Sequence, residues 1–310
     1  MRIVTLLPSA TEVVAALGLG EELVGISHEC DYPANVVANK PIVTRSAIPQ
    51  GLTPAEIDRL VAERIHRGES LYTLDLELLE QLKPDLILTQ ELCEVCAVSA
   101  PIVREAICQL STTPQLISLE PTNLAEIFNT LRIVADAAGV PERAAQVIEQ
   151  LYTRLARLDV RWRETRIKPR GLPLEWLMPP FSAGHWAPEM VQHAGGIPLL
   201  SAPGERSARL DWETVIQSRP DVMFLMPCGY SVEMIEKELA ALPFPSAWWD
   251  IPAVRRGNLF AVNANSYFSR PSPRVVEGIE ILAALLHPDL FPAPTSSDAR
   301  RLVMTQVEPV

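Results

Sequence analysis

The sequence has no apolar run near the roughly 18 to 20 residues needed to cross a bilayer, so nothing in it reads as a membrane span. It lacks a positive balance: 27 Lys and Arg stand against 38 Asp and Glu, a net charge of −11. Nucleic acid is therefore set aside as a partner, because phosphate binding needs a concentrated positive face. The one basic stretch, Arg154 to Arg170, reads as a solvated helix face and linker. Five cysteines are an odd number, which excludes a complete disulfide framework. There is no Walker loop, no Gly-rich dinucleotide turn and no catalytic-triad signature, and Gly18-Leu19-Gly20 follows a helical pattern as a helix stop does. Ile3 to Leu7 is too short for the core of a secretory leader, and Pro8-Ser9 closes it. With Met1 as the start, the expectation is a cytoplasmic protein whose cysteines are thiols or ligands.

What is present is a repeat. Leu74 to Leu88 (LDLELLEQLKPDLIL) aligns without a gap on Leu210 to Phe224 (LDWETVIQSRPDVMF). Each copy has the pattern of a helix stopped by proline and feeding a short, fully apolar strand, as a strand covered on both faces requires. A second echo lies upstream of each: TEVVAALG from Thr11 to Gly18 resembles PEMVQHAG from Pro188 to Gly195, each a helix ending at glycine. Two echoes in one order predict two similar doubly wound α/β lobes with a ligand cleft between them.

The pattern along the chain sets the boundaries. Residues 1–140 form an N-terminal lobe, 141–165 a linker helix opened by Pro141, 166–295 a C-terminal lobe and 296–310 a loose tail. Ser9 and Glu12 have the spacing of a capping box at the first helix. Cys108 sits in a predicted helix and is expected in the core, whereas His66 and His287 at helix ends are expected at the surface.

In open α/β sheets, ligands bind outside the carboxyl ends of the strands. That rule collects Pro8, Ser9, His28, Cys30, Asp31, Tyr32, Glu91, Cys93, Glu94, Cys96, His185, Trp186, Cys228, Tyr230, Asn265, Tyr267 and Arg270. The aromatics among them suit a large, flat, apolar ligand better than a small ion. His28 and His185 stand at strand-to-loop transitions as candidate contacts. Arg270 either pairs with a ligand edge or anchors its own loop. Cys93-Glu94-Val95-Cys96 has three readings: half of a zinc or iron-sulfur site completed by His28 and Cys30, a redox pair, or plain thiols.

RIVTLLPSATEVVAALGLGEELVGISHECDYP, the KPDLIL and RPDVMF strands, FSAGHWAPEMVQHAGG and NANSYFSRPSPRVVEGIEIL together resemble the cobalamin-binding branch of the helical-backbone metal-receptor superfamily. These are the periplasmic-type substrate-binding proteins of ABC importers. The resemblance covers nearly the whole chain to about residue 290. It implies two lobes joined by one helix, cobalamin or a related metal chelate as ligand, no enzymatic activity, and an ABC permease as partner if the protein is exported. Its contact positions match Pro8, Tyr32, Trp186 and Arg270. The cysteines of HECDYP, ELCEVC and MPCGY differ from the periplasmic carriers and set a cytoplasmic sub-branch as the expectation.

Overall fold

A computed structural model describes residues 1–49, 51–52, 54–67, 70–90, 100–163, 165 and 167–304. The chain divides into two compact units, the first made of residues 1–121 and 125–149 and the second of 122–124 and 150–310. In order, the first half of the chain forms β1 (Ile3–Thr5), α1 (Pro8–Ala16), β2 (Leu23–Ile26), α2 (Ala34–Val37), β3 (Thr44–Ser46), α3 (Pro54–His66), β4 (Tyr72–Leu74), α4 (Leu76–Leu82), β5 (Leu86–Thr89), α5 (Ala100–Ile107), β6 (Gln115–Ser118), α6 (Leu124–Ala137) and the long α7 (Pro141–Trp162). The main sheet of unit 1 has the order β2-β1-β5-β6, parallel throughout.

The second half forms β7 (Arg170–Leu177), β8 (Pro180–Ser182), α8 (Ala187–His193), β9 (Ile197–Pro198), β10 (Ala208–Arg209), α9 (Trp212–Ser218), β11 (Val222–Leu225), α10 (Val232–Leu239), a 3-10 turn at Ser246–Asp250, α11 (Pro252–Arg255), β12 (Leu259–Val262), α12 (Ala264–Tyr267), α13 (Val275–Leu286) and β13 (Ala299–Arg301). Its parallel core runs β9-β7-β11-β12, with β8, β10 and β13 added antiparallel. The central strands β5, β11 and β12 are buried at every position, as strands covered on both faces must be.

The repeat is structural as well as sequential. Asp75 and Asp211 each cap the following helix, accepting from the Leu78 N–H at 3.0 Å and the Thr214 N–H at 2.7 Å. Each helix ends at a cationic residue in the left-handed region, Lys83 at φ 45° and Arg219 at φ 48°, and the proline that follows forbids continuation. Asp85 accepts from the Arg2 N–H at 2.7 Å and Asp221 from the Arg170 N–H at 3.1 Å, so each repeat is fastened to the start of its unit's first strand. The strand orders β2-β1-β5-β6 and β9-β7-β11-β12 correspond one to one.

The echo helices α1 and α8 also end alike, at Gly18 (φ +68°) and Gly195 (φ +87°), where a side chain is strained. The two ends of α7 serve these two termini separately. Arg143 donates to the Leu17 and Gly18 carbonyls at 3.1 and 3.2 Å, and Trp162 Nε1 donates to the His193 carbonyl at 3.0 Å. The division between the two units falls inside α7, after Glu149.

Four expectations are corrected. The capping box does not form: Pro8 is the first helical residue, extended Leu7 is the cap, and Ser9 lies inside α1. The tail is not loose over its described part, because Ala299–Arg301 pairs antiparallel with β12. Cys108 falls just past the end of α5 and is exposed. His287 is buried, with Nε2 3.3 Å from the Gly195 carbonyl, and burial holds its imidazole below the ordinary histidine range.

Candidate functional site

In unit 1, β1 stands between β2 and β5, so the chain leaves β1 in one direction and returns on its other side. The loops at the carboxyl ends of such strands are where α/β sheets hold ligands. In and next to these loops Thr5, Ser9, Thr11, Glu12, Ser27, Thr44, Thr89 and Gln90, from the strand ends, α1 and the start of β3, are all buried. Thr5 Oγ1 and Thr11 Oγ1 are 2.6 Å apart, and the Thr11 hydroxyl also reaches Cys30 Sγ at 3.0 Å. The Thr44 hydroxyl donates to Ser27 Oγ at 3.2 Å and lies 2.6 Å from His28 Nδ1, while it accepts from the His28 N–H at 3.0 Å. Nε2 of His28 sits 3.2 Å from Glu29 Oε1, and the ring packs against Tyr72 with centroids 5.6 Å apart. His28 and Cys30 are thus fixed by hydroxyl networks of the kind that make buried polar groups tolerable. Tyr32, 41% exposed and preceding the cis peptide bond to Pro33, presents an aromatic surface. Pro8 is half-buried at the start of α1.

In unit 2 the corresponding loops leave β7, β11 and β12 and are stitched together by backbone bonds. The Cys228 N–H donates to the Glu175 carbonyl at 3.2 Å and the Asn265 N–H to the Tyr230 carbonyl at 3.1 Å. Arg270 Nη2 donates to Asn265 Oδ1 at 2.9 Å and Trp186 Nε1 to the Phe268 carbonyl at 2.9 Å. His185 occupies a left-handed backbone conformation at φ 53°, held by its N–H on the Glu205 carbonyl (2.6 Å) and by the Gly204 N–H on its own carbonyl (2.9 Å). Such a conformation costs a non-glycine residue about 1 kcal/mol. Burial, together with the nearby charge of Arg206, holds the His185 imidazole below its ordinary range, so it is neutral at pH 7. Burial pushes the Glu175 carboxyl upward, against the opposing pull of hydrogen bonds from Ser207 and the Gly184 N–H.

These distances separate contact surface from support. Trp186 and Arg270 are 7% and 6% exposed, and the bond from Arg270 to Asn265 lies within its own loop. Tyr230 is buried edge-on against Trp176, with ring centroids 5.8 Å apart, and burial with the Glu238 carboxylate pushes its phenol up to about 12. The Tyr267 hydroxyl donates to Asp298 Oδ1 at 2.8 Å beneath the Arg274 guanidinium. Partly open residues at this end of unit 2 include Glu175, Trp176, Met178, His185, Asn265 and Tyr267, and Cys228 is exposed. Of the expected metal set only His28 and Cys30 are placed, because Cys93 and Cys96, like Glu91 and Glu94, lie outside the described residues. Among the described residues no group of three His, Cys, Asp or Glu is arranged to hold a metal ion.

The sequence profile of the periplasmic binding protein family matches residues 3–265. The chain belongs to this family. A vitamin B12-binding protein of Vibrio cholerae is 25% identical over 289 residues, covering 92% of this chain and 88% of that protein. An uncharacterized ABC transporter substrate-binding lipoprotein of Bacillus subtilis, YvrC, is 22% identical over 302 residues, covering 94% and 81%. Among solved structures, a periplasmic heme-binding protein from Pseudomonas aeruginosa superposes with a TM-score of 0.72 at 18% identity over 97% of this chain and 99% of that one, a likeness of fold. Family membership carries the expectation of a binding protein rather than an enzyme.

Three residues at this end of unit 2 carry no earlier expectation: Glu175 and Trp176 near the end of β7, and Arg206. The signal for the first two was available. Along Leu172 to Leu177 (LPLEWL), a glutamate next to a tryptophan interrupts an apolar strand where period-two alternation would demand a reason. Arg206 has no sequence signal, since only the approach of the 204–207 segment to His185 gives it a role.

Proposed function

We propose that the protein binds cobalamin or a related metal tetrapyrrole through the loops at the carboxyl ends of its parallel strands, and does no covalent chemistry on it. The observation that carries this reading is His185, held in a left-handed backbone conformation with its imidazole below the ordinary range and its ring centroid 5.8 Å from that of Trp186, in a chain whose relatives include a protein named for binding vitamin B12. A neutral imidazole is a nitrogen donor for a metal centre at physiological pH, and aromatic faces suit a macrocycle. Within unit 1, Tyr32 and His28 are the candidate contacts of its own loops. A cytoplasmic location belongs to the same proposal, supported by the odd count of five cysteines; fractionation of producing cells decides it. For an exported chain, an ABC permease is the partner that the likeness to YvrC supports.

Titration with hydroxocobalamin and, separately, with haemin tests the ligand through the visible spectrum. We expect saturable one-to-one binding at or below tens of micromolar, with His185→Ala weakening it about tenfold and removing any change in the axial-ligand bands. Absence of saturable binding of either compound at about 100 µM would remove tetrapyrroles from the account.

A further inference from the structure

The opposite end of the unit 2 sheet carries a cavity of ≈ 560 Å³ that the loops above do not touch. Because β7, β11 and β12 run parallel, their amino ends share one edge of the sheet, and the cavity is lined there by Lys168 before β7, Asp221 at the start of β11, and Asn258 and Phe260 at the start of β12. Arg256, Arg301, Leu286 and Phe291 complete the walls that matter. The Cys228 loop leaves the opposite, carboxyl end of β11, and the segment before His185 reaches Glu175, near the carboxyl end of β7, through the Gly184 N–H. We propose that this cavity is a second binding site, for a small amphipathic anion: an aryl or alkyl carboxylate, sulfonate or phosphate monoester.

The size falls within the range of small-molecule sites, and the floor is apolar, with Phe260, Leu286 and Phe291 each 5 to 8% exposed. Three cations face one carboxylate. Asp221 is already engaged by the Arg170 N–H at 3.1 Å and by Arg256 at 3.3 Å. The other two cations are positioned by neutral groups. Lys168 Nζ lies 5.2 Å over the Trp162 ring, while Arg301 Cζ lies 5.7 Å over the Phe260 ring and its Nη2 donates to Asn258 Oδ1 at 3.0 Å. A π face or an amide oxygen orients a cation without cancelling its charge. Among the described residues neither Lys168 nor Arg301 has a carboxylate partner. Two pre-positioned, uncompensated cations above an apolar floor are complementary to a ligand with one anionic end and a hydrophobic body.

The probe is 8-anilinonaphthalene-1-sulfonate, an aryl sulfonate whose fluorescence rises on leaving water, titrated into the full-length protein. We expect one saturable site, about tenfold weaker in Lys168→Glu/Arg301→Glu, unchanged in His185→Ala, and not displaced by hydroxocobalamin. The uncharged N-phenyl-1-naphthylamine should bind at least about tenfold more weakly than the sulfonate. If the double variant misfolds by circular dichroism, Lys168→Gln, at an exposed position, should still weaken the sulfonate two- to threefold, about the effect of one partly screened charge. Equal affinity of the two probes, wild-type affinity in the variants, stoichiometric displacement by hydroxocobalamin, or loss of the probe in His185→Ala would each overturn the assignment.

Discussion

Unit 1 and unit 2 share a strand order, a pair of capped repeat helices and a pair of glycine-terminated helices, yet they differ where function is decided. In unit 1 the first strand ends at Thr5 and turns directly into α1, so its carboxyl end is finished by small hydroxyl side chains. In unit 2 the equivalent strand runs eight residues to Leu177, doubles back as β8, and only then reaches α8. That extension places Glu175 and Trp176 where unit 1 has Leu7 and Pro8. The charge is divided as unevenly. Unit 1 holds 10 Lys and Arg against 21 Asp and Glu, whereas unit 2 holds 17 of each, so the whole net charge of −11 belongs to unit 1. The lesson is that duplication preserved what fixes the layers, namely caps, strand pairing and helix stops, while the loop ends and surfaces diverged.

The largest test of this comparison concerns the two helix-ending glycines. A Cβ on Gly195 would lie 2.7 Å from both His287 Nε2 and Trp162 Cγ, whereas a Cβ on Gly18 meets only the Arg143 guanidinium at 3.6 Å. Gly195→Ala should therefore cost several kcal/mol from overpacking plus backbone strain, and Gly18→Ala only the strain, about 1 kcal/mol. Urea unfolding of the two variants checks it; equal losses would mean the junction at Gly195 yields easily. Next in size are the caps. Asp75→Ala and Asp211→Ala should each cost about 1 kcal/mol, and an unequal pair would break the equivalence of the repeats.

The smallest effect is a pH dependence confined to unit 2. Burial raises the folded-state pKa of Glu175 above its unfolded value, so the folded protein binds the proton more tightly. Its contribution is fully present below the unfolded glutamate pKa and is lost as pH rises through the raised folded value. Melting temperature measured against pH should fall across that window less steeply in Glu175→Gln than in the parent protein. An unchanged slope would show that Glu175 is ionised in the fold.

Much of this architecture was legible in the sequence because repetition amplifies weak local signals. Pro84 and Pro220 mark helix stops individually, but their shared context identifies a duplicated unit. Local chemistry was misread where a neighbour overrode it. Ser9 and Glu12 have a capping spacing, but Pro8 already occupies the first turn. His287 follows a helix, as surface histidines do, yet packs under Gly195. Ala299 to Arg301 is too short and too basic to announce a strand, and only pairing with β12 makes it one. The candidate site was legible as a set of loops. Which of its aromatics face outward was not, because Trp186, Tyr230 and Tyr267 have partners remote in sequence, at Phe268, Glu238 and Asp298.

The lateness of β13 bears on how the molecule is made. Synthesis delivers the chain from its amino end, so β12, apolar along its whole length, must wait with one row of backbone donors and acceptors uncovered until some forty residues more have emerged. The nascent polypeptide is most vulnerable to mispairing in that interval, and whatever shortens or delays the final stretch prolongs it.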